Sequence, residues 1–588
     1  MTLALTNDSL HEHALDGEAE RHAIECLLNC YLREYALPRN QADLDYRAQD
    51  LPMSLRQLNG QCISIRLPSG RLAVRIDRAS ALGRCHFVSA PYFKGDARSW
   101  HPLTATELAR LLCVPLSKPE RVGEMLQQVD NSLQITRTFL RHTSLHEPQA
   151  TDSLLMSEQH QIWGHALHPT PKSREGISQK ALLACSPEVG ACFKLHWFRV
   201  DPTLIQYQGE DPRGTLQQMC GGRTDVYPCH PWEVERILAN PLVLQARHLG
   251  LLEYLGPQGL ALHPTSSVRT LYHPDLAYFL KFSMHVRLTN CVRKNAWYEL
   301  DSAVALTRLL APVMVELAET LPDFLLMAEP AASTLNLSAL GTLEQAREVT
   351  ECFGIIFRQN LDEAARQRYQ PLVAMALFTW DLQGRSVCQE RVQQCADKLG
   401  VGLTEATLRW LDGYARQLLA GVMHCLFRQG VVLEPHLQNT VIGFDHDGLP
   451  CRVWIRDLEG TKLVASHWPI ERLSELSERT RASLYYDQNK AWQRVAYCAL
   501  VNNLGEAIFH LARADAALES RLWSCVGSLL QTQRALLDNP LQLEELCAGA
   551  PLPSKENFMT RLMMRADRDA GYTALPNPLA NFDASICA

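Results

Sequence analysis

Two groups of residues in this 588-residue chain have the types and spacing that chemistry needs. The first runs from Lys281 to Arg293. Lys281, Ser283, His285, Arg287, Thr289, Cys291 and Arg293 stand at every second position, which on a strand puts them on one face. Phe282, Met284, Val286, Leu288 and Val292 take the other face, with Asn290 as the one polar interruption. The polar face carries lysine, two arginines and a histidine, and no carboxylate. Just upstream, Thr265-Ser266-Ser267-Val268-Arg269-Thr270 adds hydroxyls and another arginine. A surface strand with one solvated face would alternate in the same way, but such a face usually mixes its signs. A face of one sign with hydroxyls beside it suits an anion.

The second group is Glu434, His436, Gln438 and Asn439, followed after a turn at His446-Asp447-Gly448 by Arg456, Asp457 and Glu459. The pattern reads as strand, loop, strand, turn, strand, so the two ends of a hairpin can converge. An imidazole, an amide and two carboxylates form an oxygen-rich set of the kind Mg²⁺ takes together with phosphate oxygens and water. Protein kinases hold their metals with a comparable asparagine and aspartate. A polar turn closed by an Arg456–Glu459 ion pair is the plainer alternative. A third stretch, WGHALHPTPKSREGIS from Trp163 to Ser178, cannot be regular structure, because Pro169 and Pro171 each remove a donor. It presents His165, His168, Lys172 and Arg174, either as a polar loop or as one that holds a ligand. A metal-bridged triphosphate beside a polyanionic co-substrate would need both main groups. Neither Gly-x-x-x-x-Gly-Lys-Ser/Thr nor Gly-x-Gly-x-x-Gly occurs, so any ATP site here uses another phosphate cradle.

The elements that must position these groups fall into more than one core, since the chain is too long for a single one. Hydrophobic residues at 46% and charged residues at 21% are those of a soluble globular protein. A net charge of −7 argues against a general nucleic-acid or anionic-membrane binder, so any cationic site is local. The opening MTLALTNDSLHEHALDGEAE has neither a basic start nor a long apolar core, and no run reaches bilayer length. A cytoplasmic enzyme is expected. The 19 cysteines include no Cys-x-x-Cys, and Cys229-His230 has no second ligand pair at finger spacing, so structural zinc is not expected. An amphipathic helix is predicted near 19–36, then strands CISIRLP, LAVRIDR and CHFVSAPYF, then helices over 105–112 and 119–141. From about 151 to 301 the chain is strand-rich. Helical pattern dominates from Ser302, through GTLEQAREVTECFGIIFRQN, to the C-terminus, with a kink or break expected at Pro312.

At this point a resemblance becomes specific. WGHALHPTPKSREG, PTSSVRT, KFSMHVRLTNCVRKNAWYELDS, VVLEPHLQNTVIGF and RDLEG, in this order and spacing, strongly resemble the IucA/IucC family of siderophore synthetases, which act independently of non-ribosomal peptide synthetases. The similarity covers essentially the whole chain and is greatest to the citrate-activating type. One departure is Ala166, where the family's Gly-His-Pro-x-His-Pro has its first proline.

The resemblance implies an α+β fold shaped as a cupped hand. It would have an N-terminal thumb over 1–150, strand-rich fingers with an antiparallel sheet over 151–350, and a largely helical palm over 351–588. It implies a ligase that uses ATP and Mg²⁺ to adenylate a carboxylate of citrate, releasing pyrophosphate. An amine or hydroxyl nucleophile then displaces AMP to give an amide or ester. By motif position, Ser267, Arg269, Thr270 and Lys281 would hold the phosphates, and His436, Asn439 and Asp457 would complete the ATP site. Asp457, Glu459 and Asn439 would hold the metal. His168, Lys172, Thr289 and Arg293 would hold citrate, and Arg293, His436 and Lys281 would be catalytic. Homodimers are common among such relatives. The rivals are an ADP-forming, kinase-like phosphotransferase and a ferric-siderophore binding or reductase-like protein, the latter suggested by the C-terminal region.

Overall fold

The computed structural model describes residues 7–96, 99–145, 152–288, 291–292, 295, 297–474 and 476–581. In the first 145 residues, helix Asn7–Tyr31 passes into a π-helical turn at Leu32–Ala36. Strands Gln61–Leu67 and Gly70–Ala79 pair antiparallel at the centre of a six-stranded sheet. Helices Ala105–Cys113 and Pro119–Thr143 cover it, and Leu27, Ile63, Val74, Leu108 and Val129 are among the buried residues between the layers. Thr104 and Glu107 form a reciprocal capping box that sets where the first of these helices begins. The predicted helices and the first two predicted strands are present, while CHFVSAPYF, read as one strand, is two short ones, Cys85–Phe87 and Tyr92–Lys94.

An eight-stranded antiparallel sheet fills the middle of the chain. Its order is Val226–Cys229, Phe193–Val200, Leu252–Pro264, Thr270–Tyr272, Tyr278–Phe282, Ile355–Gln359, Ala331–Leu335 and Ile205–Gly209. The strand Ile355–Gln359 comes from beyond the expected boundary at 350. The sequence GTLEQAREVTECFGIIFRQN, read as helical throughout, is helix only over Leu343–Phe353 and then turns at Gly354 into that strand. Its β-branched Ile355-Ile356 favours the strand.

The C-terminal third is built on helices Leu403–Phe427 and Ala516–Leu536 and on the hairpin Thr440–Phe444/Pro450–Ile455, which strand Phe324–Leu326 extends in parallel. Gly421 lets helix and strand touch, since a Cβ there would lie 2.0 Å from the Phe324 ring. A second hairpin, Leu552–Lys555/Tyr572–Leu575, interrupts the expected helical run near the end.

Two further expectations need correcting: the helix at Pro312 does not break, and the strand after Lys281 is short. Helix Trp297–Thr320 runs unbroken through Pro312. Pro312 is on the exposed side of the helix, where water can satisfy the carbonyl its ring leaves unbonded. The strand expected to continue past Lys281 stops at Phe282, and only the short segments Arg287–Leu288 and Cys291–Val292 pair farther on. Lys281, Phe282, Ser283 and Met284 are all buried, so no solvated face exists to alternate with. Among the described residues, no helix is long and apolar enough to cross a membrane.

Candidate functional site

A cleft of about 380 Å³ lies between the antiparallel sheet and the C-terminal hairpin. One wall is the tight connection Thr265–Arg269. Thr265 N–H donates to Thr270 O at 2.8 Å and Val268 N–H to Thr265 O at 2.7 Å. Val268 is held at φ +69°, an unusual conformation for a β-branched residue. The Ser267 hydroxyl oxygen accepts from Thr270 N–H at 3.3 Å. Strand pairing then sets Thr270 directly opposite Lys281, so the loop and the lysine face the same cleft.

The opposite wall is the hairpin. Its register pairs Thr440 with Ile455, which brings Asn439 beside Arg456, and Arg456 N–H donates to Asn439 O at 3.0 Å. Asp457 follows in a left-handed conformation, φ +75°, which aspartate tolerates better than most residues. Its carboxylate meets the other wall: Lys281 Nζ pairs with Asp457 Oδ1, lies 2.5 Å from Glu459 Oε2, and is 3.9 Å from Glu329. Arg269 reaches Glu459 at 3.6 Å and donates to Asn295 Oδ1 at 2.6 Å. Glu459 therefore pairs with Lys281 and Arg269, not with Arg456.

Three partners in this network were not singled out from sequence. Arg358 donates to Glu329 at 3.0 and 2.7 Å and to Asp457 Oδ1 at 2.8 Å. Glu329 also accepts the Glu459 N–H at 3.1 Å. Glu158, fully buried, accepts from Ser266 N–H at 3.1 Å and Ser266 Oγ at 2.8 Å while pairing with Arg456. It is the last residue of helix Ser153–Glu158, which is pinned by Leu154 and Leu155 in an apolar cluster and by Val373 N–H donating to Ser157 Oγ at 2.9 Å. Nothing in the local pattern around SEQHQ marks it.

Electrostatics follow from this packing. Burial works against the Lys281 ammonium, yet Asp457, Glu329 and Glu459 together hold its pKa above the ordinary value. Burial likewise opposes the Asp457 carboxylate, but Lys281 and Arg358 keep it well below the usual range. Lys281 and Arg269 do the same for Glu459. Burial lowers His436 against the pull of Glu434 and Asp457, and lowers His165 to about 3. Both imidazoles are therefore neutral at pH 7.

Of the residues expected from sequence, His168, Lys172, Ser267, Arg269, Thr270, Lys281, His436, Asn439 and Asp457 all line the cleft, as does Gln438. Lys172 is spent on Glu188 at 2.8 Å, which Arg174 also pairs with. His285 lies apart, its Nδ1 2.8 Å from Glu233. Thr289 and Arg293 lie outside the described residues.

The donor set fits a hard dication. Asp457 and Glu459 approach closely enough to share one ammonium, and Glu459 Oε2 is buried with no hydrogen bond aligned to it. Asn439, whose amide donates to Glu434 O at 3.3 Å, lines the same cleft as Asp457, and together these are ligand types that Mg²⁺ takes with phosphate oxygens.

The fold matches that of solved proteins. The architecture matches ATP-bound aerobactin synthetase IucA from a hypervirulent pathotype of Klebsiella pneumoniae, with TM-score 0.81 and 24% identity, over 95% of this chain and 99% of that one. It also matches the petrobactin biosynthesis protein AsbB of Bacillus anthracis, with TM-score 0.77 and 16% identity, over 98% of each chain. Residues 153–379 match the IucA / IucC family model. Residues 408–570 match the ferric iron reductase FhuF-like transporter model. Among curated relatives, the L-2,3-diaminopropanoate–citrate ligase of Staphylococcus aureus is 28% identical over 80% of this chain and 82% of its own length. The spermidine-citrate ligase of Bacillus anthracis is 27% identical over 95% and 98%.

Proposed function

We propose that this protein is a siderophore synthetase that activates a carboxylate of citrate with ATP and condenses it with an amine or alcohol, releasing AMP and pyrophosphate. One observation carries the reading: a cationic, hydroxyl-rich wall and a carboxylate hairpin close on a single cleft, as two polyanions and a metal require. The relatives' names, citrate ligases acting on diaminopropanoate and spermidine, supply the substrate class. We read the three cores as thumb, fingers and palm over 1–150, 151–350 and 351–588.

In this reading Ser267, Arg269 and Thr270 hold the phosphates, and Asp457, Glu459 and Asn439 would hold Mg²⁺, which when bound neutralises phosphate charge. Lys281 and Arg269, relieved of their carboxylates, turn to the triphosphate. A citrate carboxylate oxygen attacks the α-phosphorus, and the bond to the bridging oxygen of pyrophosphate breaks. His168, Thr289 and Arg293 align the citrate, while Lys172 lines the same cleft paired with Glu188, so that proximity rather than acid–base chemistry supplies most of this step. The acceptor then attacks the citryl carbonyl and AMP leaves. His436, neutral and on the cleft wall, is placed to take the proton the acceptor sheds.

The reductase-like alternative draws on the C-terminal family match. Among the described residues, neither group of side chains placed to hold a metal includes two cysteines, which disfavours an iron–sulfur centre. The test is hydroxamate formation with hydroxylamine, comparing citrate with 2-oxoglutarate, followed by an amine screen. Citrate-dependent product that Arg293→Ala abolishes supports the reading, and no citrate dependence refutes it.

A further inference from the structure

Away from the cleft, Glu233, His285 and Cys352 bring a carboxylate, an imidazole and a thiol together, with ligand atoms all within 4.8 Å of one another. They come from three elements: the turn Pro231–Glu233, the irregular stretch after strand Tyr278–Phe282, and the last turn of helix Leu343–Phe353. Glu233 is 1% exposed and Cys352 5%. His285 borders an open polar pocket lined by Glu344, Glu348 and Glu351 together with Arg236 and Arg347, and Arg236 pairs with Glu348 at 2.6 Å, so the carboxylates outnumber the guanidiniums there by one.

Glu233 accepts the His285 backbone N–H at 2.5 Å and meets its Nδ1 at 2.8 Å. Those contacts account for the glutamate and the histidine as a structural pair. The thiol at the third corner is turned to the Arg236 guanidinium, which also pairs with Glu348 at 2.6 Å. Burial pushes the Cys352 thiol up to about 12, and Arg236, at its side, works the other way. A mixed sulfur, nitrogen and oxygen set selects zinc-class ions over Mg²⁺ or Ca²⁺. Three protein ligands leave a fourth tetrahedral position for water from the pocket. With bonds of about 2.0–2.1 Å, neighbouring tetrahedral ligands stand about 3.3 Å apart, so metal entry opens the Nδ1–Glu233 contact by about half an ångström.

We propose that Glu233, His285 and Cys352 form a binding site for a zinc-class transition-metal ion, separate from the cleft. On binding, the Cys352 thiol loses its proton to solvent as the metal–sulfur bond forms, and the ion keeps its charge. The site ties the stretch that follows Lys281 to helix Leu343–Phe353, so its occupancy stiffens the segment between the phosphate-facing lysine and strand Arg287–Leu288.

The experiment is a Co²⁺ titration of the chelator-treated full chain, followed by the near-ultraviolet thiolate-to-cobalt charge-transfer band, with displacement by Zn²⁺. The expected result is saturation at one equivalent, bleaching of the band by Zn²⁺, its loss in Cys352→Ser, and at least about tenfold weaker binding in His285→Gln. Circular dichroism checks that both variants are folded. Absence of the band in the unsubstituted protein overturns the proposal without recourse to any variant. A band that survives in folded Cys352→Ser overturns it equally.

Discussion

Lys281 and Asp457, 176 residues apart in sequence, form an ion pair across the cleft, and Arg358 binds the same Asp457 oxygen at 2.8 Å. One carboxylate thus holds two cations that a triphosphate would otherwise attract. Asp457→Asn should lower citrate-dependent pyrophosphate release about a hundredfold or more, because the proposed Mg²⁺ site loses a carboxylate ligand. It should also shift the Mg²⁺ concentration needed for half-activity upward. Unchanged turnover and Mg²⁺ dependence would remove Asp457 from the metal and ATP site.

Glu158 joins Ser266 of the Thr265–Thr270 connection to the arginine preceding Asp457. Glu158→Ala leaves Arg456 buried without its partner, a change that costs about 3–5 kcal/mol. Glu158→Gln keeps the shape and one acceptor. It should raise KM for ATP more than it lowers kcat, because the loop loses its anchor while the reacting groups remain. A purely structural role would move stability in both variants and leave the KM of the folded glutamine variant unchanged.

How much of this was legible in sequence depends on the range of the interaction. The hairpin ending in Arg456-Asp457-Leu458-Glu459 was readable, because turn chemistry and alternation are local and its register sets Asn439 beside Arg456. The Thr265–Thr270 connection was recognisable from its hydroxyls and arginine. Glu158 and Arg358 were not, since their roles depend on partners 298 and 99 residues away. The supposed long strand after Lys281 misled for the opposite reason. Alternation was present in residue type, but Ser283 and Met284 are both buried, and His285 turns to Glu233 rather than to the cleft. Pro312 was read as a kink or break because of the lost bond, and the helix continues through it, where the exposed side of a long packed helix tolerates that loss.

His22 supplies a pH-dependent element of stability in the N-terminal core. Burial lowers its pKa to about 4 despite the opposing pull of Glu25, and its Nε2 contacts Trp163 O at 2.9 Å. The unfolded chain takes up this proton near pH 6.5, whereas the folded chain does so only near 4. Unfolding therefore binds a proton between those values, and stability falls as pH drops through the window. The slope is about 1.4 kcal/mol per pH unit for one group. Denaturant titrations at pH 7.5, 6 and 5 should show this decline, and His22→Gln should make it shallower by about that slope. An identical pH profile in the variant would contradict the assignment.

Gly421 marks the closest approach of helix Leu403–Phe427 to Phe324. Gly421→Val forces the buried ring aside and should destabilise the fold by about 1–3 kcal/mol. Adding Phe324→Leu should recover part of that loss. A neutral Gly421→Val midpoint in chemical denaturation would show that the packing there is looser than described.

The central claim is that the cleft transfers adenylate, and the nucleotide product reports it directly. The purified protein is incubated with ATP, Mg²⁺, citrate and a panel of amines, and AMP is resolved from ADP by chromatography. Adenylation of citrate predicts AMP and pyrophosphate in equal amounts, dependent on citrate and sustained by a productive amine. ADP with phosphate as the only nucleotide products, or AMP that forms equally well without citrate, would contradict it.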